Sequence, residues 1–225
     1  MDDNIKVYLN QFQQYLGTYD KDCTIEYSMS LLSEKKITVQ ELYEKILTPS
    51  LNSISMTRAE EASEIWKEHL MTNIVRTIIE CAYPYVLKEK HIHKGEYKTQ
   101  RVIIVCPEEE YHEIGARMGA DFFVIMDYEV FYIGCNTPKE TLYSAIDTLH
   151  PDIIAISITN ALNLVSLKRI VKELKEKTGS SVKILLSGSA FIHANKSEKD
   201  FNADGLVQTF KDIELFRRNQ HETSI

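Results

Sequence analysis

From Arg101 onward, apolar runs of strand length alternate strictly with amphipathic runs of helix length, and this alternation narrows the fold more than any other feature of the chain. The strand candidates are residues 102–106, 130–133, 153–157, 182–187 and 205–207. Helical stretches separate them at 112–126, 138–149 and 162–177, with a last one from about residue 209. Strand and helix in this order predict a parallel five-stranded α/β sheet with helices on both faces, of flavodoxin-like or Rossmann-like type. In such a sheet the loops leaving the carboxyl ends of the strands share one edge, and open α/β sheets bind their ligands at that edge.

The first part of the chain has a different period. Ile5, Tyr8, Leu9, Phe12 and Leu16 fit one face of a helix, and Ile25, Met29, Leu31 and Leu32 suggest a second that ends near Lys35 and Lys36. Thr38-Val39-Gln40-Glu41 is a capping-box pattern, opening a third helix with Leu42, Ile46 and Leu47 and with Pro49 as a stop or a kink. A long fourth helix is predicted from about Arg58 to Tyr83, with Trp66, Leu70, Ile74, Ile78 and Cys81 along its buried side. Four short-looped helices predict a bundle over residues 1–86. Residues 84–99 are polar and lysine-rich and read as a linker to a second domain at 99–225. An H-x-H pair, His91 and His93, lies in that linker and reads as solvent-facing.

Three segments leave predicted strands at the carboxyl edge. The first contains Glu110, His112 and Gly115, spaced E-x-H-x-x-G. A neutral imidazole is a good transition-metal ligand, and an acid two residues earlier can hold its other ring nitrogen and fix the tautomer. The second is Ser157-Ile158-Thr159-Asn160 and the third Ser187-Gly188-Ser189-Ala190, where small and hydroxyl-bearing residues leave room for a ligand and offer it hydrogen bonds. Taken singly, these are a surface histidine, two helix caps and a turn. Their placement at one edge is what points to a ligand.

Several function classes do not fit. The first strand is not followed by G-x-G-x-x-G, and a phosphate there would meet Glu108, Glu109 and Glu110. A response regulator needs an aspartate where Ser157 stands. With 26 Lys and Arg against 33 Asp and Glu, the net charge of −7 disfavours direct nucleic-acid binding. The acidic start, Met1-Asp2-Asp3-Asn4, is unlike a signal peptide, and no apolar run is long enough to span a bilayer. Cys23, Cys81, Cys106 and Cys135 are scattered, so a reduced, cytoplasmic protein is expected. Paired carboxylates, a nucleophile triad and a hydrolytic metal motif are all missing, and no stand-alone catalysis is expected.

These motifs resemble those of the cobalamin-binding domain preceded by its helical cap, whose family pattern is D-x-H-x-x-G, then S-x-L or S-x-T, then G-G. The resemblance implies that His112 is the lower axial ligand of cobalt, displacing the dimethylbenzimidazole base, and that Glu110 orients it. Ser157, Thr159, Gly188 and Ser189 would line the slot for the nucleotide tail. Glu110 in place of Asp, with Tyr132-Ile133-Gly134-Cys135-Asn136-Thr137-Pro138, resembles the regulatory branch that includes light-responsive MerR-like repressors. Methyl carriers usually have the Asp form with Lys after the glycine, where this chain has Ala116.

Glu68 and His69 match the Glu-His pair that such light sensors carry on the cap, and with Asn73 and Arg76 they imply a polar stripe over the upper corrin face. Arg58 and Ala59 stand where those sensors have Trp and His, and Ser189 replaces the second glycine, so the adenosyl-specific, photolysis-driven mechanism does not carry over. The expected protein is a free-standing cobalamin sensor that signals through a partner protein, having no helix-turn-helix of its own. Its methyl-, hydroxo- or adenosylcobalamin form and any homo-oligomerisation are left open. The alternatives are a corrinoid carrier of methyl groups and a degenerate domain that binds haem or another ligand.

Overall fold

In the computed structural model, which describes residues 3–57, 65–90 and 99–222, the chain divides into two units, Met1–Glu89 and Lys90–Ile225. Arg58, Ala59, His91 and His93, singled out in the sequence, lie outside the described residues.

The first unit is helical. Helix α1 (Asp3–Gly17) buries Ile5, Phe12 and Leu16 as its spacing predicts. Helix α2 (Lys21–Ser33) buries Thr24 and Ser28 beside Leu31 and Leu32, while Ile25 and Met29 are only half-buried. Apolar spacing misses this face because hydroxyls can be buried when they bond to their own helix. Thr24 Oγ1 donates to the Asp20 carbonyl, and Ser28 Oγ to the Thr24 carbonyl at 2.8 Å.

The capping box is present. Thr38 Oγ1 accepts from the Glu41 amide at 3.1 Å, and Glu41 Oε2 accepts from the Thr38 amide at 3.1 Å. Helix α3 (Val39–Glu41) then widens into a π turn over Leu42–Leu47 and continues as α4 (Thr48–Thr57). Pro49 therefore stops nothing: a wide turn just ahead of it accommodates a residue that cannot donate to the i−4 carbonyl.

Helix α5 (Ile65–Glu89) passes through Pro84, so the linker expected from residue 84 is helical as far as Glu89. The Glu89 carboxylate accepts from the Val39 amide at 3.0 and 3.1 Å, tying the end of α5 to the start of α3. Ile74, Val75, Ile78, Ile79, Ala82 and Val86 form the buried face of α5. Trp66, Leu70 and Cys81, expected on that face, are exposed, and Trp66 is 56% accessible with its ring against Tyr19. Each four-residue step rotates about 40° around a helix, so a series extended back from Ile74 to Trp66 has turned off the face. Trp66 is thus not a core residue.

The second unit is the parallel sheet. Its strands are β1 (Arg101–Pro107), β2 (Glu129–Thr137), β3 (Ile153–Ser157), β4 (Lys183–Ser187) and β5 (Gly205–Leu206), in the order β2-β1-β3-β4-β5. The helices are α6 (Ile114–Ile125), α7 (Lys139–Leu149), α8 (Leu164–Thr178), α9 (Ala190–His193), α10 (Glu198–Phe201) and α11 (Phe210–Glu222), and a 3-10 turn over Ala161–Asn163 leads into α8. Strand β2 runs four residues beyond its predicted end because a bulge near Gly134, φ 112°, keeps it paired with β1.

Near-continuous apolar strands place the core on both faces. Ile103, Val105, Ile154, Ile156, Ile184 and Leu186 pack with Leu142 and Ile146 of α7 and Leu167, Val171 and Leu174 of α8. Helices α6 and α11 meet through Phe122 and Phe210, ring centroids 5.4 Å apart. The chain moves from β1 outward to β2 and then back across to β3, so the strand order reverses between β1 and β3. In doubly wound sheets the crevice outside the carboxyl ends at that reversal is the ligand position. Among the described residues, no helix is long and apolar enough to cross a membrane.

Gly188, after β4, has φ 102°, and a Cβ placed on it would lie 2.2 Å from the Ile158 carbonyl oxygen. Gly115 faces open space, with nothing within 4 Å of an added Cβ. Gly188→Ala is therefore expected to destabilise the protein by about 3 kcal/mol, as a lower urea midpoint. Gly115→Ala should cost nothing in the same measurement.

Candidate functional site

The loop between β1 and α6 carries Glu110 and His112 at the reversal point. Glu110 is fully buried, and each of its oxygens is occupied. Oε1 accepts from the His112 amide at 3.0 Å and lies 2.6 Å from His112 Nδ1. Oε2 accepts from the amides of Thr159 and Asn160, at 3.0 and 2.9 Å, and from Asn163 Nδ2 at 3.1 Å. The same Asn163 amide donates to the Glu109 carbonyl at 3.3 Å. One carboxylate thus joins the loop after β1 to the loop after β3.

Burial by itself pushes the Glu110 carboxyl up. Hydrogen bonds from the His112 ring, the Asn160 and His112 amides and the Asn163 side chain outweigh that and hold it at about 2. An ionised carboxylate can only accept, so Nδ1 of His112 carries the proton and the lone pair falls to Nε2. The His112 side chain is 51% exposed, which leaves the imidazole accessible from outside the loop. Cys106, directly below, donates to the His112 carbonyl at 3.8 Å. Burial, followed by the Glu110 charge, pushes its thiol up to about 12, so it stays protonated and does not compete as a metal ligand.

The other residues singled out in the sequence fall as follows. Ser157 ends β3, buried and paired in register with Ser187 of β4. Thr159 contributes its backbone amide to Glu110. Gly188 makes its close approach to the Ile158 backbone, where the Ala190 amide donates to the Ile158 carbonyl at 3.2 Å. Ser189 begins α9 without a side-chain capping bond. Gly115 sits exposed in the first turn of α6. In the helical unit, His69, Asn73 and Arg76 are exposed on α5 and Glu68 is half-buried.

Asn160 and Asn163 were not singled out by sequence reasoning, yet both serve the carboxylate. Their only signal was polarity, two asparagines three apart at the mouth of a helix, and that pattern equally describes capping. Asn160 does cap as well, its Oδ1 accepting from the Leu162 amide at 3.1 Å.

The donor set decides what kind of metal centre fits. Among the described residues, no three His, Cys, Asp or Glu side chains converge to hold a metal ion. A single oriented imidazole suits a metal whose remaining positions are filled by its own macrocycle.

Comparison with known proteins leads to the same place. Residues 100–210 match the model of the B12 binding domain. Comparison with curated proteins gives no match. Among solved structures, the Methanosarcina barkeri monomethylamine corrinoid protein superposes with a TM-score of 0.72 at 15% identity, covering 92% of this chain and 94% of that one. A cobalamin-binding protein from Desulfitobacterium hafniense DCB-2 matches at 16% identity and TM-score 0.46, covering 93% and 97% of the two chains. The methanol:cobalamin methyltransferase complex of Methanosarcina barkeri matches at 13% and 0.41, covering 92% of this chain and 75% of that one.

The low Glu110 value has a stability consequence. A carboxyl near 4.5 when unfolded and about 2 when folded stabilises the fold above about pH 4.5, on the order of 3 kcal/mol, and loses that contribution as pH falls toward 2. Urea unfolding at pH 6 and pH 3 should show this slope in the wild type. The slope should be shallower in Glu110→Gln, which starts less stable at pH 6 and keeps the contributions of other lowered carboxyls such as Asp20, Glu173 and Asp200.

Proposed function

We propose that this chain, a corrinoid protein by the cobalamin-binding domain over residues 100–210, holds cobalamin through His112 and carries methyl groups between partner methyltransferases. The observation that carries this reading is the half-exposed His112 ring held from behind by a buried anion. When bound, cobalamin would supply a cobalt centre able to accept and release a methyl group. His112, through Nε2, is the residue that would hold the cobalt. Glu110 keeps the ring in one tautomer and raises its basicity, and the Thr159 and Asn160 amides keep Glu110 ionised. Ser157, Thr159, Gly188 and Ser189 lie on the same edge, where the nucleotide tail would enter. The likeness to the monomethylamine corrinoid protein spans both units of the chain and supports the carrier reading over an isolated binding domain. The methyl chemistry belongs to the partners.

Glu110 in place of Asp and Ala116 in place of Lys favour a second reading, a cobalamin sensor that acts through a regulatory partner. The Glu68–His69 pair of α5, which resembles the pair such sensors carry, agrees with that reading.

Purified protein incubated with hydroxocobalamin is expected to retain one equivalent, with an absorbance spectrum that changes in His112→Ala. Glu110→Gln should weaken affinity by roughly 10–100-fold. Loaded instead with methylcobalamin and mixed with a partner methyltransferase, the protein should pass its methyl group to a thiolate acceptor and be left holding cob(I)alamin. Cobalamin binding without methyl transfer, but with a ligand- or light-dependent change in partner binding, would establish the sensor instead. Uptake of haem and not cobalamin would overturn both.

A further inference from the structure

The sequence stretch from Tyr132 to Asn136 makes no bond to the Glu110 carboxylate, yet it is bonded to both ends of the loop that carries His112. Val105 lies opposite Gly134 and Pro107 opposite Thr137, so the single residue Cys106 on β1 faces two on β2, Cys135 and Asn136. This is a bulge, and it re-aims the strand end. Asn136, with φ 48°, is turned toward the loop: its Oδ1 accepts from the Glu109 amide at 2.9 Å, and its amide donates to the Glu110 carbonyl at 2.8 Å. At the other end of the loop, Tyr132 Oη donates to Glu113 Oε2 at 2.9 Å, and the Arg117 guanidinium stands 5.5 Å over the Tyr132 ring.

We propose that Asn136 and Tyr132 are positioning residues for the cobalt ligand: the bulged end of β2 sets the height and tilt at which His112 meets the cofactor. The inference rests on His112 being that ligand. The Glu110 carboxylate fixes the imidazole relative to Glu110, but it does not fix the Glu110 backbone. Glu109, immediately before, has φ 67°, a conformation that costs a non-glycine residue free energy and needs outside bonds to hold it. Asn136 supplies those bonds. The position suits asparagine because Asn tolerates a left-handed backbone and offers an acceptor without adding charge beside Glu108, Glu109 and Glu110. Tyr132 holds Glu113, which ends the loop and begins α6.

Three variants of the full chain separate positioning from folding. Asn136→Gly keeps the backbone conformation and removes the acceptor. Asn136→Asp keeps both, and titrating all variants at high ionic strength screens the charge it adds beside Glu108 and Glu109. Tyr132→Phe keeps the ring under Arg117 and removes the donor. Each is titrated with hydroxocobalamin beside wild type and His112→Ala, reading affinity, the bound absorbance spectrum and the urea midpoint of the apo-protein. Asn136→Gly is expected to lower affinity about five- to tenfold, the scale of one lost hydrogen bond to a held group, and to move the spectrum toward that of His112→Ala. Asn136→Asp should return both to near wild type, and Tyr132→Phe should shift them in the same direction by less. A wild-type spectrum and affinity in Asn136→Gly would overturn the proposal while leaving His112 as ligand. So would equal damage in Asn136→Gly and Asn136→Asp, or an affinity loss that only follows the apo midpoint. A His112→Ala spectrum identical to wild type would remove the ligand reading itself.

Discussion

A carboxylate with no solvent contact organises the functional edge of this protein. Taking an isolated carboxylate out of water costs several kcal/mol, and the charged form survives only where donors replace the lost hydration. Glu110 receives N–H groups from His112, Thr159, Asn160 and Asn163, and its remaining charge is directed at one imidazole. Thr159, Asn160 and Asn163 lie 49, 50 and 53 residues downstream in sequence. Only the parallel pairing of β1 with β3, in register from Val102–Ile153 to Val105–Ile156, brings them within reach. The site is therefore a property of the strand order, within a parallel sheet that follows from the alternation of strand and helix.

Strain gathers around the same carbonyl edge. Glu109, Gly134, Asn136 and Gly188 all have positive φ, and all lie in loops or strand ends after β1, β2 and β4. Elsewhere positive φ marks turns and helix ends, such as His150 and Asn202. Unfavourable backbone conformations persist where surrounding bonds over-determine them, and they concentrate at binding sites for that reason. Here the surrounding bonds are visible: Asn136 on Glu109 and Glu110, and the Ile158 backbone against Gly188. Bonds of this kind hold a backbone in place without help from a ligand, which reduces the ordering cost of binding.

The helical unit shows a different economy. Its core includes Thr24, Ser28 and Ser50, whose hydroxyls bond to their own helices. A π turn over Leu42–Leu47 buries Leu42, Tyr43, Ile46 and Leu47 together, because a wider turn brings more successive side chains onto one face, and the same turn admits Pro49. On α5 the exposed His69, Asn73 and Arg76 lie at helical spacing opposite the buried Ile74 to Val86 face. That exposed stripe is the part of the unit with polar chemistry to offer a ligand.

The sequence by itself determined the fold class, the five strands, the edge on which a ligand would sit and the pairing of Glu110 with His112. Each of these depends on short-range pattern: period-two and period-3.6 hydrophobicity, a capping box, an acid two residues from a histidine. Tertiary structure decided the rest. It buried Glu110 completely, gave it Asn160 and Asn163, set Gly188 against the Ile158 backbone, and turned Trp66 outward. It also carried α5 through Pro84 and extended β2 into a bulge that grips the histidine loop. Apart from the turning of Trp66 off the buried face, which helical spacing shows, none of this has a local signature. A residue's burial depends on which distant segment packs against it, and a backbone amide becomes a functional donor only when the fold aims it at a charge.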